Sequence, residues 1–210
     1  TDSLVGSEMC IRDSLSTTTK RVISEYTDAE DADRHELFLG VCSNHLCDLR
    51  PGDEVLVAGP NGKGFLLPEA PEQHNYIFLA TGTGIAPFRG FLKELLEGES
   101  PCPSNILLML GVPWETDLLY REELEALAQK HDNLELRWAI SRENHHPDRG
   151  PYVHDRLERE WSELESRFTD PNAMLYACGL AGMQVGVFRL LAQRGSVSYT
   201  HLRAHETVSD

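Results

Sequence analysis

Three short stretches of the chain hold residue types that can do chemistry. Thr81-Gly82-Thr83-Gly84 sets two glycines one residue apart, ahead of Pro87. Glycine allows torsions and a close backbone approach that other residues forbid, and proline suits a first helical turn. Free amides and the helix dipole at such a joint favour an anion by roughly 0.3–1 kcal/mol at an exposed site. The spacing is not G-x-G-x-x-G, so this is not the usual Rossmann pyrophosphate loop; by itself it fits a plain tight turn equally well. Ser141-Arg142 is the second stretch. A hydroxyl and a guanidinium at a strand end can clamp a ribose 2′-phosphate, where an acidic residue would take the free 2′-hydroxyl. Tyr152 follows a short way on and offers a ring for adenine, the plain alternatives being a surface arginine and a core tyrosine. Together with the first loop, the pair points to NADP. Cys178-Gly179 is the third stretch, at the end of an apolar run. A lone cysteine there is commonly a small buried hydrophobe. The functional alternative sets its sulfur beside a nicotinamide, which makes Cys178 the catalytic candidate. No basic residue adjoins it, so it is not expected to be a nucleophile.

These stretches need elements to hold them. Apolar runs at Tyr76–Ala80, Ile106–Leu110, Leu134–Ile140 and Ala173–Cys178 read as strands. The spacing predicts helices over 86–97, 117–130, 153–168 and 183–193, the second showing its period in Leu118, Leu119, Leu124 and Leu127. Strand and helix alternating in this way imply an α/β, doubly wound parallel sheet. Ligands bind outside the carboxyl ends of such strands. The segments Thr81–Pro87, Gly111–Pro113, Ser141–Glu143 and Cys178–Met183 should therefore share one rim. Upstream of Pro68–Pro71 the texture is β-rich, with expected strands over 17–26, 37–42 and 55–60 and a turn at Arg50–Glu54. Three strands cannot close a barrel, so this section reads as part of an antiparallel barrel or sheet.

The bulk properties exclude several classes. The 210 residues carry 34 Asp+Glu against 19 Lys+Arg, a net charge of −15, which argues against nucleic acid as a partner. No run of about 18 apolar residues occurs, so no transmembrane segment is expected. Five cysteines form no C-x-x-C pair, which indicates neither a zinc site nor a disulfide framework. Both ends are unusual: Val5–Ser14 and Ser196–Asp210 resemble translated sequencing-adapter read-through and lack a periodic apolar pattern. Both are set aside, and the natural chain is expected to extend on both sides.

The pieces "GVCSNHLCDLRPGDEV" (Gly40–Val55), "LATGTGIAPFRGFL" (Leu79–Leu92), "LGVP" (Leu110–Pro113), "LLYREELEAL" (Leu118–Leu127), "AISRE" (Ala139–Glu143) and "YACGLAGM" (Tyr176–Met183) have a common likeness. In order and spacing the chain resembles the plant-type ferredoxin–NADP(H) reductases, from Thr17 to Gln193. The resemblance implies a FAD-binding β-barrel followed by an NADP-binding α/β domain. Electrons would move between ferredoxin or flavodoxin and NADP(H), with hydride passing between flavin and nicotinamide. On that likeness Val41, Cys42 and Ser43 line the FAD pyrophosphate, and Thr19 and Lys20 touch FAD and the NADP phosphates. Thr83, in the Thr81–Gly84 loop, lies between flavin and nicotinamide, and Val112 and Pro113 contact the NADP ribose. Ser141, Arg142 and Tyr152 hold the 2′-phosphate and adenine, Gly179, Leu180 and Met183 flank the dinucleotide, and Cys178 approaches the nicotinamide. The implied domains are residues 15–70, the C-terminal part of the barrel, and 71–195, the NADP-binding domain, between termini at 1–14 and 196–210. A monomer is expected, in the cytoplasm or plastid stroma or at the periphery of a photosynthetic membrane.

The chain also departs from the family pattern. The Arg-x-Tyr-Ser flavin motif is not found before Thr17, nor is the end segment with its Glu and terminal Tyr. The basic residue expected two before the tyrosine is Gly150, with Arg149 as a substitute; His154 stands in place of a Gln and Ala181 in place of a basic residue. Diflavin reductases share the "GTGIAPFRGFL" style of loop, but "CGL" and "GVP" favour the ferredoxin partner. A nucleotide-binding module without turnover is the reading from another class. Lys20, Arg21, Arg50, Lys63, Arg89 and Lys93 are candidates for a basic docking patch.

Overall fold

A computed structural model describes residues 17–20, 23–27, 35–58, 65–98, 100–143, 152–195 and 202–206. The chain divides into two compact units, residues 1–57 and 58–210. The first unit pairs β1 (Ile23–Thr27) with β2 (His35–Leu39) in antiparallel register, Ile23 opposite Leu39 and Thr27 opposite His35. Helix α1 (Val41–Asp48) follows, with Gly40 as its N-cap residue. Two expectations fail here. Residues 41 and 42 open a helix rather than end a strand. Residues 53–58 form no strand, and Val55, Leu56 and Val57 are exposed. A strand needs a partner for its backbone groups, and no third strand occurs among the described residues of this unit.

The second unit is the doubly wound sheet. Its strands are β3 (Asn75–Thr81), β4 (Ile106–Val112), β5 (Leu134–Ile140), β6 (Ala173–Gly179) and β7 (Leu202–Glu206), in the order β5-β4-β3-β6-β7. Every pair is parallel. The helices are α2 (Ala86–Glu97), α3 (Arg121–Lys130), α4 (Val153–Arg159), α5 (Trp161–Phe168) and α6 (Ala181–Gln193). One helix was expected over 153–168; Glu160, at φ −98° and ψ 11°, divides it in two. Its carboxylate sits 2.9 Å from the buried Arg156 guanidinium, which also donates to the Trp138 carbonyl. The segment set aside at the C-terminal end supplies β7, beside β6.

The strands read as near-continuous apolar runs because helices cover both faces. Alternation along each strand then divides the core. Phe78, Leu108, Leu110 and Tyr176 pack with Phe88, Leu92, Leu124 and Leu127 of α2 and α3 on one face. Leu79, Leu107, Met109 and Ala177 pack with Val153, Leu157, Trp161 and Val187 of α4, α5 and α6 on the other. Full burial of each large side chain contributes about 1.5–3 kcal/mol. Phe65 and Leu67 join the first face, and the Tyr176 hydroxyl donates to the Leu66 carbonyl at 2.8 Å. These contacts draw residues before Pro68 into the sheet unit, so the division falls earlier than the change in sequence texture.

Candidate functional site: the carboxyl rim of the parallel sheet

Register fixes the rim. Thr81 lies opposite Gly111, Ala80 opposite Cys178, and Val112 opposite Ile140. The four strands therefore end together, and their loops emerge along one edge. Backbone bonds tie neighbouring loops. The amides of Ser141 and Arg142 donate to the carbonyls of Val112 and Pro113 at 3.0 and 2.9 Å. Leu180 donates to Oγ1 of Thr81 at 2.9 Å.

Glycines bring the loops close. Gly82 has φ +52° with nothing near a Cβ, so its requirement is torsional. Gly84 is buried, and a Cβ there would overlap the Cys178 carbonyl oxygen and stand 2.7 Å from its carbon. Gly179, at φ +142°, presses on Thr81, where a Cβ would lie 2.9 Å from the amide nitrogen. A Cβ on Gly111 would lie 2.7 Å from Cγ2 of Val153, so the start of α4 rests on the end of β4. The 3-10 turn Gly82–Ile85 then leads into α2, whose Pro87 sits in the first turn. The Ala86 amide donates to the Thr83 carbonyl and Pro87 has no N–H, so the turn closes directly into the helix.

The predicted residues of the second unit fall in three groups. Thr81, Gly82, Thr83, Gly84, Pro113, Ser141, Arg142, Tyr152, Gly179 and Leu180 lie on the rim or at the loop and helix starts that border it. Arg142 is exposed, and its guanidinium makes no hydrogen bond or ion pair among the described residues. Ser141 already donates its hydroxyl to the Val112 carbonyl at 3.4 Å. Tyr152 is 60% exposed and stacks on His154, ring centres 5.7 Å apart and 8° from parallel. Val112, Cys178 and Met183 form the second group, with buried side chains. Met183 differs from expectation, because its side chain packs in the core of α4 and α6 instead of lining the rim. Burial pushes the Cys178 thiol above its ordinary value, which keeps it protonated and inert. The third group is Arg149, which lies outside the described residues.

In the first unit Thr19 is half-buried, Lys20 exposed, and Val41, Cys42 and Ser43 form the first turn of α1. Of the expected basic patch, Arg21 and Lys63 lie outside the described residues. Arg89 and Lys93 are both paired with Glu123, at 2.9 and 3.3 Å. Sequence reasoning named His154 only as a departure from the family pattern and missed Gly186: a Cβ on Gly186 of α6 would stand 2.6 Å from the His154 ring, which in turn backs Tyr152. A polar cavity of about 320 Å³ between the start of β3 and the end of α5 opens at the opposite edge, and an Asn75–Asp170 hydrogen bond of 2.7 Å spans its lining.

A doubly wound parallel sheet with glycine-lined loops and an unpaired arginine at its carboxyl edge defines a nucleotide-binding α/β domain. The chain belongs to the oxidoreductase NAD-binding domain family, whose model matches residues 78–188. It is 43% identical over 179 residues to the cyanelle ferredoxin–NADP reductase of Cyanophora paradoxa, covering 82% of this chain and 47% of that protein. It is 43% identical over 180 residues to the chloroplastic ferredoxin–NADP reductase of Spinacia oleracea, covering 83% and 47%. The chain thus spans about half the length of these curated relatives. Among solved structures, the ferredoxin–NADP+ reductase of Plasmodium falciparum with 2′P-AMP superposes with a TM-score of 0.70 at 26% identity, covering 88% of this chain and 69% of that one.

Proposed function

We propose that this chain is the NADP-binding part of a ferredoxin–NADP(H) reductase, transferring electrons between ferredoxin and NADP(H) with FAD as its flavin. The observation that carries the reading is the shared rim, with Arg142 unpaired at one end and the Thr81–Gly84 turn against Cys178-Gly179 at the other. The arginine fits a 2′-phosphate, and 2′P-AMP, the ligand with which the Plasmodium falciparum reductase was solved, is of that kind. The exposed Tyr152 ring, held by His154, fits an adenine face. The backbone of the Thr81–Gly84 turn and the dipole of α2 behind it fit the anionic middle of a dinucleotide. Buried Cys178 closes the floor under the nicotinamide end without reacting.

For the flavin, the first turn of α1 at Val41, Cys42 and Ser43 sets the N-terminal end of a helix, which favours an anion such as a pyrophosphate. FAD, when bound, supplies the exchange between one-electron and two-electron carriers. Thr19 and Lys20 are assigned to FAD and the NADP phosphates on family likeness, as is Arg149 to NADP. Flavodoxin is the alternative protein partner and a monomer the proposed state. A plastid or cytoplasmic location fits the named relatives, and no helix of the described residues is long and apolar enough to cross a membrane.

The test is Arg142→Ala, read by calorimetric titration with NADP+ and with NAD+. One charge-assisted bond contributes on the order of 1.5–3 kcal/mol, so its loss alone should lower NADP+ affinity roughly 10- to 150-fold while NAD+ binding changes little. Equal losses for both refute the 2′-phosphate role. Flavin absorbance and NADPH diaphorase activity of the purified chain separate a reductase from a module without turnover.

A further inference from the structure

Trp114 follows the Gly111–Pro113 loop and has no part in the site described so far. It is 44% exposed, whereas Trp138 and Trp161 are 9% and 5% exposed. It belongs to neither core cluster, nor to the partly buried side chains packed against them. Single exposed hydrophobic residues are ordinary on a surface, but this one has a particular place. Its predecessor Pro113 accepts the Arg142 amide at 2.9 Å, and its successor Glu115 donates its amide to the Glu143 carboxylate at 2.6 Å. The Trp114 backbone is thus strapped along the Ser141–Glu143 loop on both sides, beside the backbone of Arg142.

Topology adds a second wall. The chain leaving β4 passes Trp114 toward Leu118, Leu124 and Leu127, which pack on one face of the sheet. Tyr152 caps α4, whose Val153 and Leu157 pack on the other face. Val153 rests on Gly111, and three residues of extended chain from Gly111 to Trp114 reach at most roughly 10 Å. The exposed Trp114 and Tyr152 therefore both lie close to the carboxyl end of β4, on segments that lead to opposite faces of the sheet, and the Trp114 segment is bonded to the loop that carries Arg142.

We infer that Trp114 is a contact residue for the adenosine half of the dinucleotide, walling the 2′-phosphate end of the rim opposite Tyr152. The inference rests on the reading of the rim as an NADP site. A flat indole there would stack on or cover the purine-ribose unit and shield the arginine–phosphate pair from water, which strengthens it.

Adenosine 2′,5′-bisphosphate is the probe. It lacks the nicotinamide, so it does not quench tryptophan by energy transfer and reports contact alone. Binding is measured by calorimetry and, separately, by tryptophan emission with iodide as an external quencher. The wild-type chain should bind the probe, lose part of its emission and become less accessible to iodide. Trp114→Ala should weaken the probe about tenfold, as expected for loss of one stacked base, and abolish the emission change. Trp114→Phe should restore most of the affinity, and far-UV circular dichroism checks that each variant is folded. Calorimetric binding with unchanged emission, unchanged iodide access and unchanged Trp114→Ala affinity overturns the inference and leaves the NADP reading intact. Failure of the wild-type chain to bind the probe overturns both.

Discussion

Replacing Gly84 by alanine tests the joint on which the rim depends. A methyl at this position would overlap the Cys178 carbonyl oxygen, stand 2.7 Å from its carbon and lie 3.1 Å from Cα of Gly179. Ordinary contact begins near 3.4 Å, so the carbonyl carbon alone must retreat by 3.4 − 2.7 = 0.7 Å. Every obstructing atom is backbone, so no side-chain rotation relieves the clash. Both strands involved, β3 and β6, are central and buried, which leaves the turn to move against the sheet. Overpacking of this kind costs about 1–3 kcal/mol. For a chain of this size each kcal/mol moves the midpoint by about 2–4 °C, so Gly84→Ala should lower Tm by about 2–12 °C. On the proposed function it should also weaken NADP+ binding, since the displaced segments are those assigned to the dinucleotide. Gly90→Ala is the control: Gly90 lies in α2 with open space around it, and alanine there should stabilise by about 0.5–1 kcal/mol. Circular dichroism melts of the three proteins decide. If Gly84→Ala melts at or above wild type, the Thr81–Pro87 and Cys178–Met183 segments do not meet as described.

The remaining expectations concern protons and thiols. Burial raises the Glu123 carboxyl, but the hydrogen bonds and charges of Arg89 and Lys93 outweigh it and hold the group below the usual carboxylate range. A depressed carboxyl adds stability above its unfolded value, and that stability is lost as pH falls through the folded value. Glu123→Gln should therefore melt below wild type at neutral pH, the gap closing below about pH 4 as both carboxyl forms protonate; a gap that persists in acid contradicts the ion-pair account. Iodoacetamide should label the exposed Cys42 and Cys47 first, with Cys102 and Cys178 reacting only on unfolding. Mass-spectrometric mapping reads this, and early labelling of Cys178 refutes its buried placement.

The parts of the fold that the sequence revealed are those governed by one local rule. Leu134–Ile140 and Ala86–Glu97 match the expected limits at both ends, because a buried parallel strand is an apolar run and a covered helix has a face. Helix α1 was missed because it has no buried residue and hence no apolar period to read. Val55–Val57 misled in the opposite sense: β-branched and aliphatic letters suggest a strand, but pairing is a property of neighbours. The division at Glu160 has neither glycine nor proline to announce it; the buried Arg156 between Trp138 and Glu160 is a tertiary arrangement.

The site shows the same limit in a sharper form, because one letter there stands for different physics. Gly82 needs its torsion and has no near neighbour, Gly84 needs its missing Cβ and has an ordinary torsion, and Gly179 needs both. The sequence could place all of them on one rim, since parallel register forces the strand ends together. It could not say that Gly84 and Gly179 are the surfaces by which the β3 and β6 loops touch. Nor could it say that Gly111 makes room for Val153 and Gly186 for His154, which sets the height and tilt of Tyr152. Glycines at sheet ends thus act here less as hinges than as absent side chains. Their effect is to let α4 and α6 settle onto the rim, with Tyr152 stacked on His154 and exposed at the start of α4.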